Sequence, residues 1–216
     1  MRDWEELMTG RLTWQLTLTG LALALLAIST AAVSRGGEEN APEPPKYAYV
    51  GVDTCKMCHR SKKQGEQYTK WKNAGHSKAY ETLKSDEAKK VAEKVGLAKA
   101  PHESAECLRC HATGWNLTEE QKKKYLKRRF DIEDGVQCET CHGPGEKYKS
   151  LSIMKSREKS VANGLLLQDE KLCRTCHNEQ SPTWDPNRYT TKDGKKVGFD
   201  YETAWKKIAH PVPDKD

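Results

Sequence analysis

The feature that most constrains this chain is the pattern C-x-x-C-H, which occurs four times in 216 residues. In c-type cytochromes the two thiols of such a motif bond covalently to haem, and the histidine that follows binds the iron. We number the copies motifs 1 to 4 in chain order, and they use all eight cysteines of the protein: Cys55, Cys58 and His59; Cys107, Cys110 and His111; Cys138, Cys141 and His142; Cys173, Cys176 and His177.

Zinc sites and disulfides are the alternative explanation for cysteine pairs, because C-x-x-C also builds zinc ribbons. Histidine accounts for only 7 of the 216 residues. Its recurrence directly after every cysteine pair is therefore not expected by chance, and zinc does not require it. The sequence predicts four covalently bound haem c groups.

The composition indicates how such a chain can fold. Only 36% of the residues are hydrophobic, so the chain alone would form a thin core. Four haems would supply the missing apolar surface. We therefore predict a mainly α protein with little β, in which residues 47–216 form one multihaem cytochrome c domain wrapped around four haems. The net charge of +6 does not indicate a nucleic-acid partner, because haem propionates would offset it.

The N-terminal part contains an uncharged stretch, Leu12–Val33, long enough to cross a bilayer as a helix. A cleaved signal peptide is the alternative, because small residues occupy 27–33. The acidic residues before the stretch are atypical of a signal peptide. We predict that residues 1–33 are a retained membrane anchor and that 34–46, rich in Gly, Pro and Glu, are a linker. The haem domain of this single-pass inner-membrane protein would face the periplasm or the cell exterior.

Four residues outside the motifs are candidate distal ligands of haem iron. His76 lies on the apolar face of a helix predicted over 61–83, and His210 closes a helix predicted after Asp200. His102, in a loop before motif 2, could bind iron or lie on the surface. Met154, on the inner face of a predicted helix, could bind iron or pack. Three histidines cannot fill four distal positions, so at least one iron must take methionine, water or nothing.

Further local patterns predict helices and a hairpin. A helix is expected from Ser85 to Gly96, and a second helix ends near Ala162. A capping box, Thr118–Gln121, opens a short helix whose body, Lys122–Arg129, carries six positive charges. These charges indicate either a solvated face beside propionates or a docking patch for an acidic partner. Asp193–Gly194 predicts a two-residue hairpin turn.

Two stretches resemble the tetrahaem cytochrome c-554 family, which is related in haem packing to hydroxylamine oxidoreductase. They are Trp71-x4-His76-Ser-Lys-Ala79 and Gly135-Val-Gln-Cys-Glu-Thr-Cys-His-Gly-Pro-Gly145. The order of the four motifs and the late histidine also match, so the resemblance covers most of 50–210. It implies that His76 binds the third haem, that His210 binds the fourth, and that the second haem is five-coordinate.

The chain departs from that family at the first haem. The family places a histidine after Gly-Pro-Gly as the distal ligand of this haem, but none follows Gly145 before motif 4. Met154 and His102 are the candidates that remain, and the resemblance does not decide between them.

The predicted function is electron transfer between a membrane-side donor and a periplasmic redox partner, without catalytic residues. The first alternative is an enzyme acting on a small nitrogen species at an open haem iron, although no distal acid or base is evident beside haem 2. A second is an electron-conducting subunit of a larger respiratory complex or a haem filament. Membrane-anchored quinol-oxidising subunits carry C-x-x-C-H-x-Met in their first motif, whereas Arg60 and Ser61 follow His59 here.

Overall fold

Short helices dominate the computed structural model, which describes residues 43–210. The α-helices are α1 (Val52–His59), α2 (Gln67–Asn73), α3 (Ala79–Thr82), α4 (Asp86–Val95), α5 (Ala105–His111), α6 (Glu119–Tyr125), α7 (Cys138–His142), α8 (Leu151–Met154), α9 (Arg157–Ala162), α10 (Glu170–Arg174) and α11 (Tyr201–Ile208). Short 3-10 helices cover Lys62–Gln64, Gly75–Lys78, Pro101–Glu103 and Ile132–Asp134. The mainly helical prediction is confirmed.

No helix within 43–210 is long and apolar enough to cross a membrane. The predicted anchor, Leu12–Val33, lies outside the described residues, as does most of the predicted linker 34–46.

Several helix ends follow the predicted capping chemistry. Ser85 accepts a hydrogen bond from the Ala88 amide at the start of α4, and Gly96 ends that helix in the left-handed conformation. The capping box of α6 is present, with Thr118 and Gln121 bonding reciprocally. These ends form where the sequence predicts them, because a cap depends only on residues a few positions apart.

The single helix predicted over 61–83 is wrong. The structure interrupts it with extended backbone at Ala74, where φ is −88° and ψ is 161°. Two long-range hydrogen bonds hold the chain there. The Trp71 indole donates to the Val136 carbonyl at 2.8 Å, and the Val136 amide donates to the His76 carbonyl at 3.1 Å. Bonding to the segment before motif 3 thus replaces helical bonding.

The helix predicted to end near Ala162 is also broken, into α8 and α9. Ser156 between them has extended backbone, and its hydroxyl caps α9 through the Lys159 amide. The chain then turns at Gly164, as the sequence predicts. Likewise α6 ends at Tyr125, so only part of the basic stretch 122–129 is helical.

The C-terminal part contains a hairpin where one is predicted, but residues 191–195 connect its strands instead of the predicted two-residue turn. Strands β1 (Tyr189–Thr190) and β2 (Lys196–Val197) pair antiparallel, with Tyr189 opposite Val197 and Thr190 opposite Lys196. Asp200 then caps α11 by accepting from the Thr203 amide. His210 lies two residues beyond the end of this helix rather than within its last turn.

A buried carboxylate in motif 3 holds the start of α1. Glu139 is 2% exposed, and it accepts hydrogen bonds from the amides of Val50, Gly51 and Gly145 at 2.6 to 3.0 Å. Burial raises the pKa of this carboxyl, whereas the three amides lower it. The helix that carries motif 1 is therefore positioned by a side chain from inside motif 3.

Gln137 adds a second set of links at the same place. Its side-chain oxygen accepts from the Val52 amide at 2.9 Å, and its amide nitrogen donates to the Asp131 carbonyl at 2.6 Å. Its backbone amide donates to the Thr113 hydroxyl, just after motif 2, at 2.8 Å. Because this side chain is 1% exposed, its hydrogen bonds cannot be replaced by water.

We predict that Glu139→Gln lowers the free energy of unfolding by about 2–4 kcal/mol. The glutamine retains one accepting oxygen but turns an amide nitrogen toward buried N–H donors, which leaves at least one donor unsatisfied. Denaturant unfolding of the haem-loaded protein, followed through the haem absorption, measures the change. Glu146→Gln is the control, because that half-exposed carboxylate accepts from one backbone amide, that of Ala48, and we expect a loss below about 1 kcal/mol. Equal stability of Glu139→Gln and the wild type would contradict this role.

Candidate functional site

Each C-x-x-C-H motif lies on a helical turn. The helices α1, α5 and α7 end at His59, His111 and His142. In motif 4 the turn continues past α10, with the His177 amide donating to the Cys173 carbonyl at 3.0 Å. Residues three and four apart on a helix lie on one face. Every motif can therefore present two thiols and one imidazole to the same side, which is the donor set that covalent haem requires.

Two motif histidines have an oxygen partner for Nδ1. The Nδ1 atom of His111 lies 2.7 Å from the Ala79 carbonyl oxygen, and that of His59 lies 3.1 Å from Oε1 of Gln67. An acceptor at Nδ1 fixes the tautomer that leaves the Nε2 lone pair free for iron. Groups outside their motifs thus orient both imidazoles so that Nε2 is available to a metal.

The other two motif histidines are held differently. Nδ1 of His142 lies 2.7 Å from Nε2 of Gln168. The His177 ring stacks on Phe199, with ring centroids 5.0 Å apart and planes inclined by 14°. Phe199 is 5% exposed, and it lies between the hairpin and α11. The C-terminal hairpin therefore serves to hold the histidine of motif 4.

The two predicted distal histidines each face a motif histidine. The His76 and His177 rings have centroids 6.0 Å apart, and the His142 and His210 rings have centroids 5.8 Å apart. Two imidazoles that share one iron, each bonded at about 2 Å, have centroids about 6 Å apart. Both pairs therefore fit a haem iron with histidine on each side.

This pairing differs from the one that the family resemblance implies. The resemblance assigns His76 to the third haem and His210 to the fourth. In the structure His76 lies beside the motif 4 histidine, His177, and His210 lies beside the motif 3 histidine, His142.

All four of these histidines are favoured in the neutral form. Burial, and secondarily the charges of His210 and His59, lower the pKa of His142 to about 4. Burial also lowers the pKa values of His76, His177 and His210. A neutral imidazole has a lone pair available for a metal, so burial favours the protonation state in which these side chains could bind iron.

The structure does not bring His102 or Met154 to a motif histidine by a hydrogen bond or a ring contact among the described residues. His102 is half-buried in the 3-10 helix Pro101–Glu103, which packs on α5. Met154 is half-buried at the end of α8. The distal ligand of motif 1 thus stays open between them.

Thiol contacts place the motifs in a spatial order. The neighbouring Cys138 thiol, with burial, raises the pKa of Cys55, which places motif 1 beside motif 3. The Cys110 thiol lies 4.0 Å from the Cys176 carbonyl oxygen, and the Cys176 thiol lies 3.8 Å from the Arg109 carbonyl oxygen. These two contacts join motif 2 to motif 4.

A weaker contact links these two pairs of motifs. The Cys141 thiol of motif 3 is close enough to Cys173 of motif 4 that the charge of Cys173, after burial, raises its pKa. The four motifs therefore follow one another in space as 1, 3, 4 and 2. Within 43–210, no group of three or more His, Cys, Asp and Glu is arranged to hold a metal ion.

Sequence reasoning missed four residues that shape the sites: Gln67, Gln168, Glu139 and Phe199. Gln168 and Phe199 lie more than twenty residues from the histidines that they contact, and Gln67 contacts His59 from the next α-helix, so no motif pattern reveals these contacts. The position of Glu139 could have identified it, because a carboxylate between the two cysteines of a motif must either reach solvent or accept hydrogen bonds. Its burial among backbone amides shows that it finds donors.

Comparison with known proteins gives one family and one relative. The family model "Cytochrome c554 and c-prime" matches residues 54–143, which include the first three motifs and His76. The chain is 29% identical over 208 residues to cytochrome c-554 of Nitrosomonas europaea, covering 87% of this chain and 83% of that protein. No solved structure matches the chain.

We predict that His76→Ala and His210→Ala each convert one low-spin haem to high-spin and leave the haem content unchanged. Because the two histidines face different motifs, the double variant should convert two haems. Low-temperature electron paramagnetic resonance of the oxidised protein counts both species. An unchanged spin count in either single variant, or one converted haem in the double variant, would contradict the two histidine pairs.

Proposed function

We propose that this chain, which resembles the cytochrome c-554 family over most of its length, is a tetrahaem electron carrier with covalently bound haem c. It would pass electrons between a membrane-side donor and a periplasmic redox protein. Haem iron supplies the one-electron chemistry when bound. The chain supplies the attachment residues, the axial ligands and the spacing between the sites.

The observation that carries this proposal is the spatial order of the motif thiols. Cys55 of motif 1 neighbours Cys138 of motif 3, and Cys110 of motif 2 neighbours Cys176 of motif 4. Cys141 of motif 3 is near enough to Cys173 of motif 4 for burial and then that thiol's charge to raise its pKa. Cysteines in contact bring the attached edges of their haems close together. A continuous row of four redox sites suits conduction, because electrons can enter at one end and leave at the other.

The axial ligands would differ along this row. Motifs 3 and 4 each have a second histidine, His210 and His76 respectively, so neither iron would keep a position for substrate. His111 of motif 2 has no ring contact with another histidine among residues 43–210. We propose that this iron keeps an open or weakly occupied face, as the family resemblance implies.

Motif 1 would take Met154 or His102 as its second ligand. Methionine opposite histidine raises the potential of a haem relative to a bis-histidine site. If Met154 is the ligand, the oxidised protein should show the weak near-infrared band of sulfur bound to iron, and Met154→His should remove it. Absence of that band from the wild type would favour His102 or an open site.

The N-terminal segment completes the proposal. Leu12–Val33 would anchor the protein in the inner membrane, with the haem domain on the periplasmic or exterior side. The uncharged length of the stretch supports the anchor. A soluble mature product that begins near residue 30 would overturn it.

We predict four electrons per chain in a redox titration and slow turnover of hydroxylamine or nitrite. Reduced protein should bind carbon monoxide at about one haem in four, because motif 2 lacks a second histidine. Turnover should be slow, because a proton donor placed beside the substrate contributes roughly a hundredfold or more, and the sequence shows no such group at haem 2. Stopped-flow absorption spectroscopy measures binding and turnover. Fast turnover would instead identify an enzyme.

A further inference from the structure

The basic segment, which we define as Lys122–Arg129, lies directly against motif 1. Tyr49 pairs with Leu126 of this segment in an isolated parallel bridge. Gly51, at the start of α1, has a φ of 83°, and a Cβ atom there would lie 2.2 Å from the Arg129 carbonyl oxygen. Only glycine permits this approach, so the backbone itself fixes the basic segment beside the helix of motif 1.

One side chain of the segment reaches the haem attachment site. Nη1 of Arg129 lies 2.9 Å from Sδ of Met57, and Met57 is 59% exposed. Met57 stands between Cys55 and Cys58, which bond to the haem edge that carries the vinyl groups. A residue between those two cysteines must lie beside that edge. Arg129 therefore brings a positive charge to the surface next to the haem of motif 1.

The rest of the segment carries more positive charge than its two ion pairs neutralise. Lys122 pairs with Glu119, and Lys127 pairs with Glu146. The remaining cations are exposed and form no ion pair with any residue of the described chain: Lys123, Lys124, Arg128 and Arg129. Cations on one side of a redox site attract an acidic partner and raise its rate of association.

No other motif has an exposed apolar side chain at the position of Met57. Arg109 in motif 2 donates to Gln180 at 2.9 Å, and Thr140 in motif 3 is half-buried beside Thr113. Thr175 in motif 4 is exposed but polar, and its hydroxyl donates to the Leu172 carbonyl at 2.8 Å. Motif 1 thus combines an exposed apolar side chain with uncompensated positive charge, which is the combination that a charged docking surface needs.

We propose that Met57 and the basic segment form the docking surface for the acidic face of a protein redox partner, so that electrons enter or leave the row of sites at motif 1. This inference rests on the proposed electron-carrier function and adds the partner's chemistry and the point of exchange. Motif 1 is one end of the spatial order 1, 3, 4 and 2, so exchange there uses the whole row.

An anionic lipid surface is the other partner that could neutralise the positive charge of the basic segment. Two features favour a protein. Glu119 and Glu120 open the same helix as the lysines, and an extended anionic surface would be repelled by them, whereas a protein face can be shaped around them. A lipid layer over Met57 would also insulate the site at which electrons must be exchanged.

The first test uses an acidic plant-type ferredoxin as the probe, with the full-length haem-loaded protein in neutral detergent. Lys123→Gln, Lys124→Gln and Arg128→Gln are combined in one variant. The control variant removes three exposed lysines in and after α4, by Lys90→Gln, Lys94→Gln and Lys99→Gln. The two variants have the same net charge, so any difference between them reports location.

We expect the first variant to bind oxidised ferredoxin about tenfold more weakly than the wild type, and to be reduced by reduced ferredoxin about tenfold more slowly, at low salt. The control should change either quantity less than about threefold. The difference should disappear near 1 M salt, where charges are screened within about 3 Å. Equal loss in both variants would overturn the proposal, because net charge alone would then explain the binding.

The second test asks whether motif 1 is the point of exchange. Met57→Glu and Thr175→Glu each place a carboxylate between the two cysteines of a motif, at an exposed position. Met57→Glu should weaken ferredoxin binding and slow the reduction several-fold, and Thr175→Glu should leave both near the wild-type values. A larger effect of Thr175→Glu would move the docking site to motif 4 and refute the proposal.

Two further measurements separate the possible failures. If the wild type takes up four electrons from a small-molecule reductant but no variant alters ferredoxin binding, the electron-carrier function stands and the docking surface is wrong.

The protein is also placed in nanodiscs of zwitterionic lipid or of lipid containing phosphatidylglycerol. Equal rates with ferredoxin in both support a protein partner. Loss of the rate in the anionic nanodiscs would show that lipid occupies the surface, contrary to the proposal.

Discussion

The structure depends on the buried carboxylate of Glu139, which fastens one haem motif to another. It lies between the cysteines of motif 3 and accepts the amides of Val50 and Gly51 at the start of the motif 1 helix. A buried carboxylate without donors would be very costly, so the chain must bring those amides to it. Because the same side chain also binds the Gly145 amide, the turn after motif 3 is set by the same group.

These hydrogen bonds explain how a chain with few aliphatic residues can hold its motifs in one arrangement. The described core contains mostly small or aromatic side chains, such as Ala48, Val50 and Tyr148. Polar groups that are fully hydrogen-bonded, including Gln137 and Thr113, bring motifs 1, 2 and 3 together. The haems would then fill the space that these polar contacts leave between the motifs. The basic segment reaches motif 1 through the same region, beside Gly51.

The sequence predicted most features that depend on nearby residues. The four motifs, the caps at Ser85 and Thr118 and a hairpin at Asp193–Gly194 follow from spacings of a few positions, and the structure has them, although the hairpin loop is longer than predicted. The Ser156 cap is an exception, because it is local but was not predicted. The interruption at Ala74 was missed, because the bonds that cause it join Trp71 and His76 to Val136, about sixty residues away. His76 and His177 lie about a hundred residues apart and still face each other, so local patterns could not predict this contact.

The same distinction applies within the sites. C-x-x-C-H identifies the residues that attach haem and bind its iron from one side, since all five positions lie on one helical turn. The partner on the other side, and groups at Nδ1 such as the Ala79 carbonyl beside His111, come from distant segments. The path of the chain brings these residues together, and short sequence patterns do not reveal that path.

Intact-mass spectrometry of the haem-loaded protein, with titration of free thiols, tests the central claim that four haems are attached to one chain. The mass should exceed that of the polypeptide by four haems, and no cysteine should react with a thiol reagent under denaturing conditions, because all eight would be thioethers. Replacing both cysteines of one motif by serine should remove one haem. A mass gain of three haems or fewer in the wild type, reactive thiols, or bound zinc would contradict the account.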